Sequence, residues 1–264
     1  MRVARFGLPR WRPELQNAAV LLEALLAQLL SVPAAQTASP AASAPACPAD
    51  MVPVVGVHHE YVQRLCLEYA IGKCFSYLPG FIAREGRVTA VRTCMDRYEW
   101  PNEKGKVPAV MMSFVEAERL CAGVGKRLCT EFEWEAACEG PQTLPFPYGQ
   151  RVDDSTCNSA KPYRPVSEAK LASRDARVRE AETRRLWQGE PAGSHPKCVS
   201  PHGVVDMVGN IEEWVRTSRP EWPFKSALKG GYWSKRWAGC RGTNDSHGPE
   251  FRFYEVGLRC CRDA

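Results

Sequence analysis

Read for the spacing of its apolar positions, the chain divides near residue 47. Before that point an apolar run over residues 18–32 follows Arg2, Arg5, Arg10 and Arg12 and precedes Ala34, Ala42, Ala44 and Ala46. Basic residues, an apolar run and then small residues form the layout of an export signal. Glu23 and Gln28 interrupt the run, and Leu22, Leu26 and Leu30 recur every fourth residue, so an amphipathic leader helix competes with that reading. With Glu23 inside, and short of the ~20 residues a bilayer requires, the run predicts no permanent membrane span. Residues 1–36 are read as a signal or leader, and residues 37–46, rich in Ala, Pro and Ser, as a linker.

Beyond residue 47 the periods change. Residues 51–57 and 87–95 are rich in β-branched side chains and predict strands, with Cys66 and Cys74 between them close enough to staple a small loop. His58 and His59 are neighbours on a strand, point to opposite faces and so do not jointly hold a metal. Ser113 with Glu116 forms a capping box that opens a helix through Ala122, turning Leu120 and Cys121 inward. Thr130 with Glu133 forms a second one, starting a helix at about Glu131 on which Trp134, Ala137 and Cys138 share the inner face. Residues 141–149 have neither period and predict irregular structure.

Composition sharpens this picture. At 264 residues, 44% hydrophobic and 25% charged, the chain can bury the core of one large or two small domains. Its net charge of +5 is partly local: over residues 161–185 basic side chains outnumber acidic ones eight to four. Acids are interleaved there and no aromatics alternate with the bases, which suits a solvated helical face and predicts no nucleic-acid partner. Twelve cysteines contain no CxxC pair, which removes the zinc-ribbon and thioredoxin-like readings. Their number points to disulfides formed in an oxidising compartment, hence to an exported protein, periplasmic or extracellular. Gly125-Lys126 is not a phosphate loop, since Leu120 and Arg127 occupy the positions of its first Gly and its Ser or Thr. Gly209-Asn210 can form a tight turn, where Asn210, Glu213 and the Ile211 carbonyl offer oxygens of the kind calcium accepts.

GKRLCTEFEWEAAC, FPYG, DMVGNIEEW, KGGYW and VGLRC follow one another in that order. Together they resemble the formylglycine-generating enzyme (sulfatase-modifying factor) family over roughly residues 47–262, with a basic insertion at 160–196. The resemblance implies a single domain over 47–264, α+β with little regular secondary structure, a formylglycine-generating-enzyme-like variant of the C-type lectin fold. It also implies calcium, at Asn210, Ile211 and Glu213 and near Asn158. Enzymes of the family oxidise a sulfatase cysteine with copper(I) held by two cysteines that follow a GGSW or GGSY motif.

Counted without gaps from Gly230-Gly231, those cysteines fall on Lys235 and Cys240, and Tyr232 stands in place of the motif's Ser. A protonated ammonium cannot ligate copper(I), which wants two soft thiolates. Counted back from VGLRC, the resemblance instead makes Cys240 the disulfide partner of Cys138 and pairs Cys121 with Cys260. Both registers leave the copper site incomplete, and copper is not expected. The remaining eight cysteines stay open, with closeness suggesting Cys66–Cys74 and Cys47–Cys94. The expectation is an exported, non-catalytic binding or structural module for a protein or glycan ligand. The alternative is an oxygen-dependent oxidase of a protein cysteine, with Cys240 as its catalytic candidate and Cys261 as a second thiol. A third reading has residues 161–185 bind an acidic partner. Five scattered histidines lack the cluster needed for the iron site of ergothioneine-type relatives.

Overall fold

The computed structural model of the chain describes residues 46–217, 219 and 222–264. The predicted leader, and the linker up to residue 45, lie outside them. Within residues 44–264 the chain forms one unit built on two four-stranded sheets. The first holds β1 (Met51–Ala70), β2 (Lys73–Asp96), β3 (Arg127–Leu128) and β8 (Cys260–Asp263) in the order β1-β2-β8-β3. The second holds β4 (Glu212–Arg216), β5 (Ser226–Lys229), β6 (Thr243–Asn244) and β7 (Val256–Leu258) in the order β6-β5-β4-β7, with β4 and β7 parallel. No helix among the described residues is long and apolar enough to cross a membrane.

The two predicted strands are real but far too short as read. They are the base of a hairpin of 20 and 24 residues that runs through the region expected to be a stapled loop, with Cys66–Cys74 bridging its far end. Both predicted helices start where their caps lie: α1 (Phe114–Gly123) on Ser113/Glu116 and α2 (Glu131–Glu139) on Thr130/Glu133, each box closed in both directions. Trp134, Ala137 and Cys138 are buried as expected. So are Glu131, Glu135 and Glu139, an i, i+4 stripe of three acids on the same short helix.

The insertion folds into α3 (Glu168–Leu171) and α4 (Ala176–Leu186). Its charges are largely spent locally: Arg185 binds Glu182, Arg184 binds Glu180, and Arg164 and Arg179 donate to backbone carbonyls.

All twelve cysteines are paired, as Cys47–Cys94, Cys66–Cys74, Cys121–Cys260, Cys129–Cys261, Cys138–Cys240 and Cys157–Cys198. Cys121–Cys260 and Cys138–Cys240 are the two pairs that the family resemblance implied. The sequence reading made no suggestion for Cys129–Cys261 or Cys157–Cys198.

Candidate functional site

Strand β4 positions two neighbouring constellations. Gly209, which enters it, has φ +78°, and a Cβ there would lie 2.4 Å from the Asn158 carbonyl oxygen, so only glycine fits. Asn210 follows, also with positive φ. Its backbone N–H donates to the Asn158 carbonyl (2.8 Å), and its Oδ1 accepts from Asn158 Nδ2 (3.0 Å) and the Glu190 N–H (2.8 Å). Its Nδ2 donates to Glu99 (2.7 Å) and to the Glu190 carbonyl. Two donors face one side of this amide and two acceptors the other, which fixes its orientation. The Ile211 N–H donates to the same Glu99 carboxylate. Glu99 is wholly buried, and desolvation with the nearby Asp206 and Glu213 charges holds its carboxyl well above the usual range.

Of the four residues expected to bind calcium, the fold brings Asn158 and Asn210 together, with Ile211 beside them. Glu213 is not among them. Its carboxylate is taken by the Arg259 guanidinium (2.7 and 3.0 Å) and by Trp134 Nε1 (2.8 Å), all inside the core. Calcium is expected at two places, at Asn210, Ile211 and Glu213 and near Asn158; at the first of them the Glu213 carboxylate already faces a guanidinium, which disfavours a second cation beside it. Asn158 Oδ1, by contrast, is buried with no hydrogen-bond partner among the described residues.

The second constellation surrounds the Gly230-Gly231 turn at the end of β5. Lys229-Gly230-Gly231 leaves β5 with both glycines at positive φ; a Cβ on Gly231 would lie 2.5 Å from Ala238 Cβ. Lys229 is buried, its ammonium bound to Glu135 and to Thr243 Oγ1, while His58 Nε2 lies 2.6 Å from the other Glu135 oxygen. Buried between Lys229, His58 and Arg241, the Glu135 carboxyl is held far below its ordinary value. Arg241 clasps Glu139 through two bonds of 2.7 and 2.8 Å, and Arg219 binds Glu131. The buried acidic stripe of α2 is thereby neutralised one residue at a time.

Cys240 is bonded to Cys138 of α2, so its sulfur is not a thiol. Lys235 folds over the Tyr232 ring, with its ammonium on Glu212. Beside Glu212 lies Glu255, whose carboxyl burial and the Glu212 charge push up to about 8, and whose Oε2 has no partner among the described residues. A cavity of about 430 Å³ opens at this point, lined by Arg64, Tyr77, Phe146, Lys235, Arg241 and Asn244 among others. Its size suits a small molecule or the end of a larger ligand.

Sequence reasoning did not find the Glu212–Lys235–Glu255 group. Glu212 and Glu255 are 43 positions apart and meet because β4 pairs with β7 in parallel, Glu212 opposite Val256. The one local signal was the doubled acid of GNIEEW, of which Glu213 alone was singled out.

Residues 75–264 match the sulfatase-modifying factor enzyme 1-like domain family. The chain is 31% identical over 123 residues to a hercynine oxygenase of Mycolicibacterium smegmatis, covering 45% of this chain and 24% of that one. It is 26% identical over 184 residues to the inactive C-alpha-formylglycine-generating enzyme 2 of Mus musculus, covering 61% and 51%. A serine/threonine-protein kinase pkn1 of Chlamydia caviae matches at 33% over 110 residues, 41% of this chain and 13% of that one. The chain thus spans about half or less of the length of these relatives. Among solved structures, PvdO from Pseudomonas aeruginosa superposes with a TM-score of 0.52 and CarF with 0.50, each at 17% identity. They cover 81% and 82% of this chain and 94% and 99% of theirs. These likenesses give the fold: an α+β, formylglycine-generating-enzyme-like variant of the C-type lectin architecture.

Proposed function

The chain belongs to the sulfatase-modifying factor enzyme family, and from that premise we propose that it is an exported, non-catalytic member, a disulfide-stabilised module that binds a protein or glycan. The reading rests on one observation above all: six disulfides consume all twelve cysteines, so no thiolate is left for a copper(I) centre. Lys235, at the first cysteine position in the gap-free register, is occupied with Glu212. Cys240, the catalytic candidate of the oxidase alternative, is half of a buried bridge. The donor set at this place, an ammonium and a disulfide sulfur, does not fit copper(I).

The relative named as an inactive formylglycine-generating enzyme is in keeping with loss of the chemistry on a retained scaffold. Six disulfides favour export, because such bonds persist in oxidising compartments. The ligand belongs in the cavity between Arg64 and Lys235, where cationic side chains and an aromatic wall converge. Calcium stays in the reading as one ion beside Asn158, whose Oδ1 is unused, with Asn210 and the Ile211 backbone next to it and Glu213 left out.

The test is alkylation of the unreduced protein followed by a mass-spectrometric disulfide map, with copper(I) titrated against a chromogenic chelator. Expected are six bridges, no alkylated cysteine and no competition for copper(I). Two alkylated cysteines that include Cys240, with copper(I) withdrawn from the chelator, would restore the oxidase.

A further inference from the structure

The β1–β2 hairpin carries its polarity inside out. Along β1, residues 61–67 alternate between exposed and half-buried, and apart from Gln63 the exposed set, Tyr61, Leu65 and Leu67, is the more apolar one, while Arg64 lies with Val62 and Cys66 on the half-buried side. Tyr61 is 56% exposed, Leu65 45% and Leu67 58%, with Val57 (51%) nearer the base and Phe81 (54%) and Val88 (55%) on β2. The charged positions Glu60 and Arg64 fall on the other side, against the body of the domain. There Arg64 and Arg84 donate to Thr143, and Arg241 donates to the Glu60 carbonyl. A strand with one solvated face normally shows the opposite alternation, apolar in and polar out. A contiguous apolar face of this length marks a surface that something covers.

We propose that this outward face is a self-association surface, on which a second copy of the chain packs face to face across a two-fold axis. Three observations favour a second copy. From residue 55 to residue 67 the outward positions of β1 carry no carboxylate, ammonium or guanidinium, and the register sets one charge of each sign beside them on β2, Glu85 opposite Tyr61 and Arg92 opposite Val55, so the face is neutral overall. The same neutrality leaves that strand without the basic fringe that holds a protein to an anionic bilayer. The area is sufficient: two strands over residues 55–69 make a face of about 50 by 10 Å, or about 1,000 Å² summed over two copies, at the lower bound for a specific interface. The ribbon is also ready-made. Cys66–Cys74 bridges its far end, and the Arg64, Arg84 and His58 contacts pin its inner side, so docking orders no chain.

The experiment is sedimentation velocity on the fully disulfide-bonded protein across micromolar concentrations, with the Leu65→Glu/Leu67→Glu variant in parallel. The expected result is a reversible dimer that the variant weakens about 100-fold or more. Both side chains are exposed, so unchanged thermal unfolding and an intact disulfide map will verify that the variant folds. A wild-type protein that stays monomeric throughout overturns the proposal, as does a dimer that the variant leaves intact. Phosphatidylcholine and phosphatidylglycerol vesicles form a second arm: a monomer that co-sediments with them through Leu65 and Leu67 assigns the face to lipid and refutes self-association.

Discussion

Replacing Arg259 by methionine is expected to cost the fold about 5 kcal/mol, the loss following from two contributions. Arg259 and Glu213 are each 1% exposed and face one another through bonds of 2.7 and 3.0 Å. The guanidinium also donates to the carbonyls of Asp96 and Arg97 (3.0 Å each) and Val205 (2.8 Å). Leaving one partner of a buried pair uncompensated costs about 3–5 kcal/mol. Three carbonyls deprived of a donor add about 1 kcal/mol each, offset in part when Glu213 takes up a proton. Urea unfolding followed by circular dichroism, with disulfides kept intact, measures the loss as a lower midpoint at unchanged slope. The Glu213→Gln/Arg259→Met double variant removes the orphan charge and should recover about 1–3 kcal/mol of the single variant's deficit. A single-variant loss below about 1 kcal/mol, or strict additivity in the double, would refute the view that this pair is a structural tie rather than a ligand site.

The pH dependence of Glu255 can be read by difference. Its folded-state carboxyl titrates at about 8 against an unfolded value near 4.5, so between those pH values the folded protein holds a proton that the unfolded chain has released. Stability attributable to this group is therefore highest below the unfolded value and falls as pH rises towards 8. The Glu255→Gln variant should match wild type at pH 4 and gain on it by pH 8, by a few kcal/mol at about 1.4 kcal/mol per unit; a flat difference would show that the carboxyl ionises freely. Removing the Cys138–Cys240 bridge as a double alanine variant should cost about 4–5 kcal/mol, since it closes a loop of 102 residues; denaturant unfolding checks this. Calcium should raise the melting temperature of the wild type, and Asn158→Ala should abolish that rise; no shift on adding calcium or a chelator would remove the ion from the reading.

Much of this was legible where the signal was local. Both capping boxes are i, i+3 motifs, and each helix starts at its box because nothing distant competes for those hydroxyls. The family motifs likewise carried the fold class and two disulfides. The hairpin was cut short for the converse reason: register shifts at His59/Tyr61, Arg64/Cys66, Cys66/Glu68 and Glu68/Tyr69 break the alternation along β1, and Pro79, Gly80 and Gly86 interrupt β2, so no strand period is sustained through residues 58–86. The buried acids of α2 were unreadable because their partners, Arg219, Lys229 and Arg241, arrive from about 90 to 100 positions away. Asn158 reaches Asn210 across 52 residues, and a sequence window sees only two amides.

The position of β8 has a consequence for how this protein is made. The strand nearest the chain end is inserted between β2 and β3, and its adjacent cysteines bridge to Cys121 and Cys129, synthesised more than 130 residues earlier. Cys260 and Cys261 point to opposite faces of their strand, so a slip of one position would present each sulfur to the wrong partner. Oxidation of the new chain therefore works against a deadline: Cys121 and Cys129 must stay unbonded, or be reshuffled by thiol–disulfide exchange, until β8 has been made. A chain truncated before Cys260 should accumulate with those two thiols free or mispaired, however well the rest of it has folded.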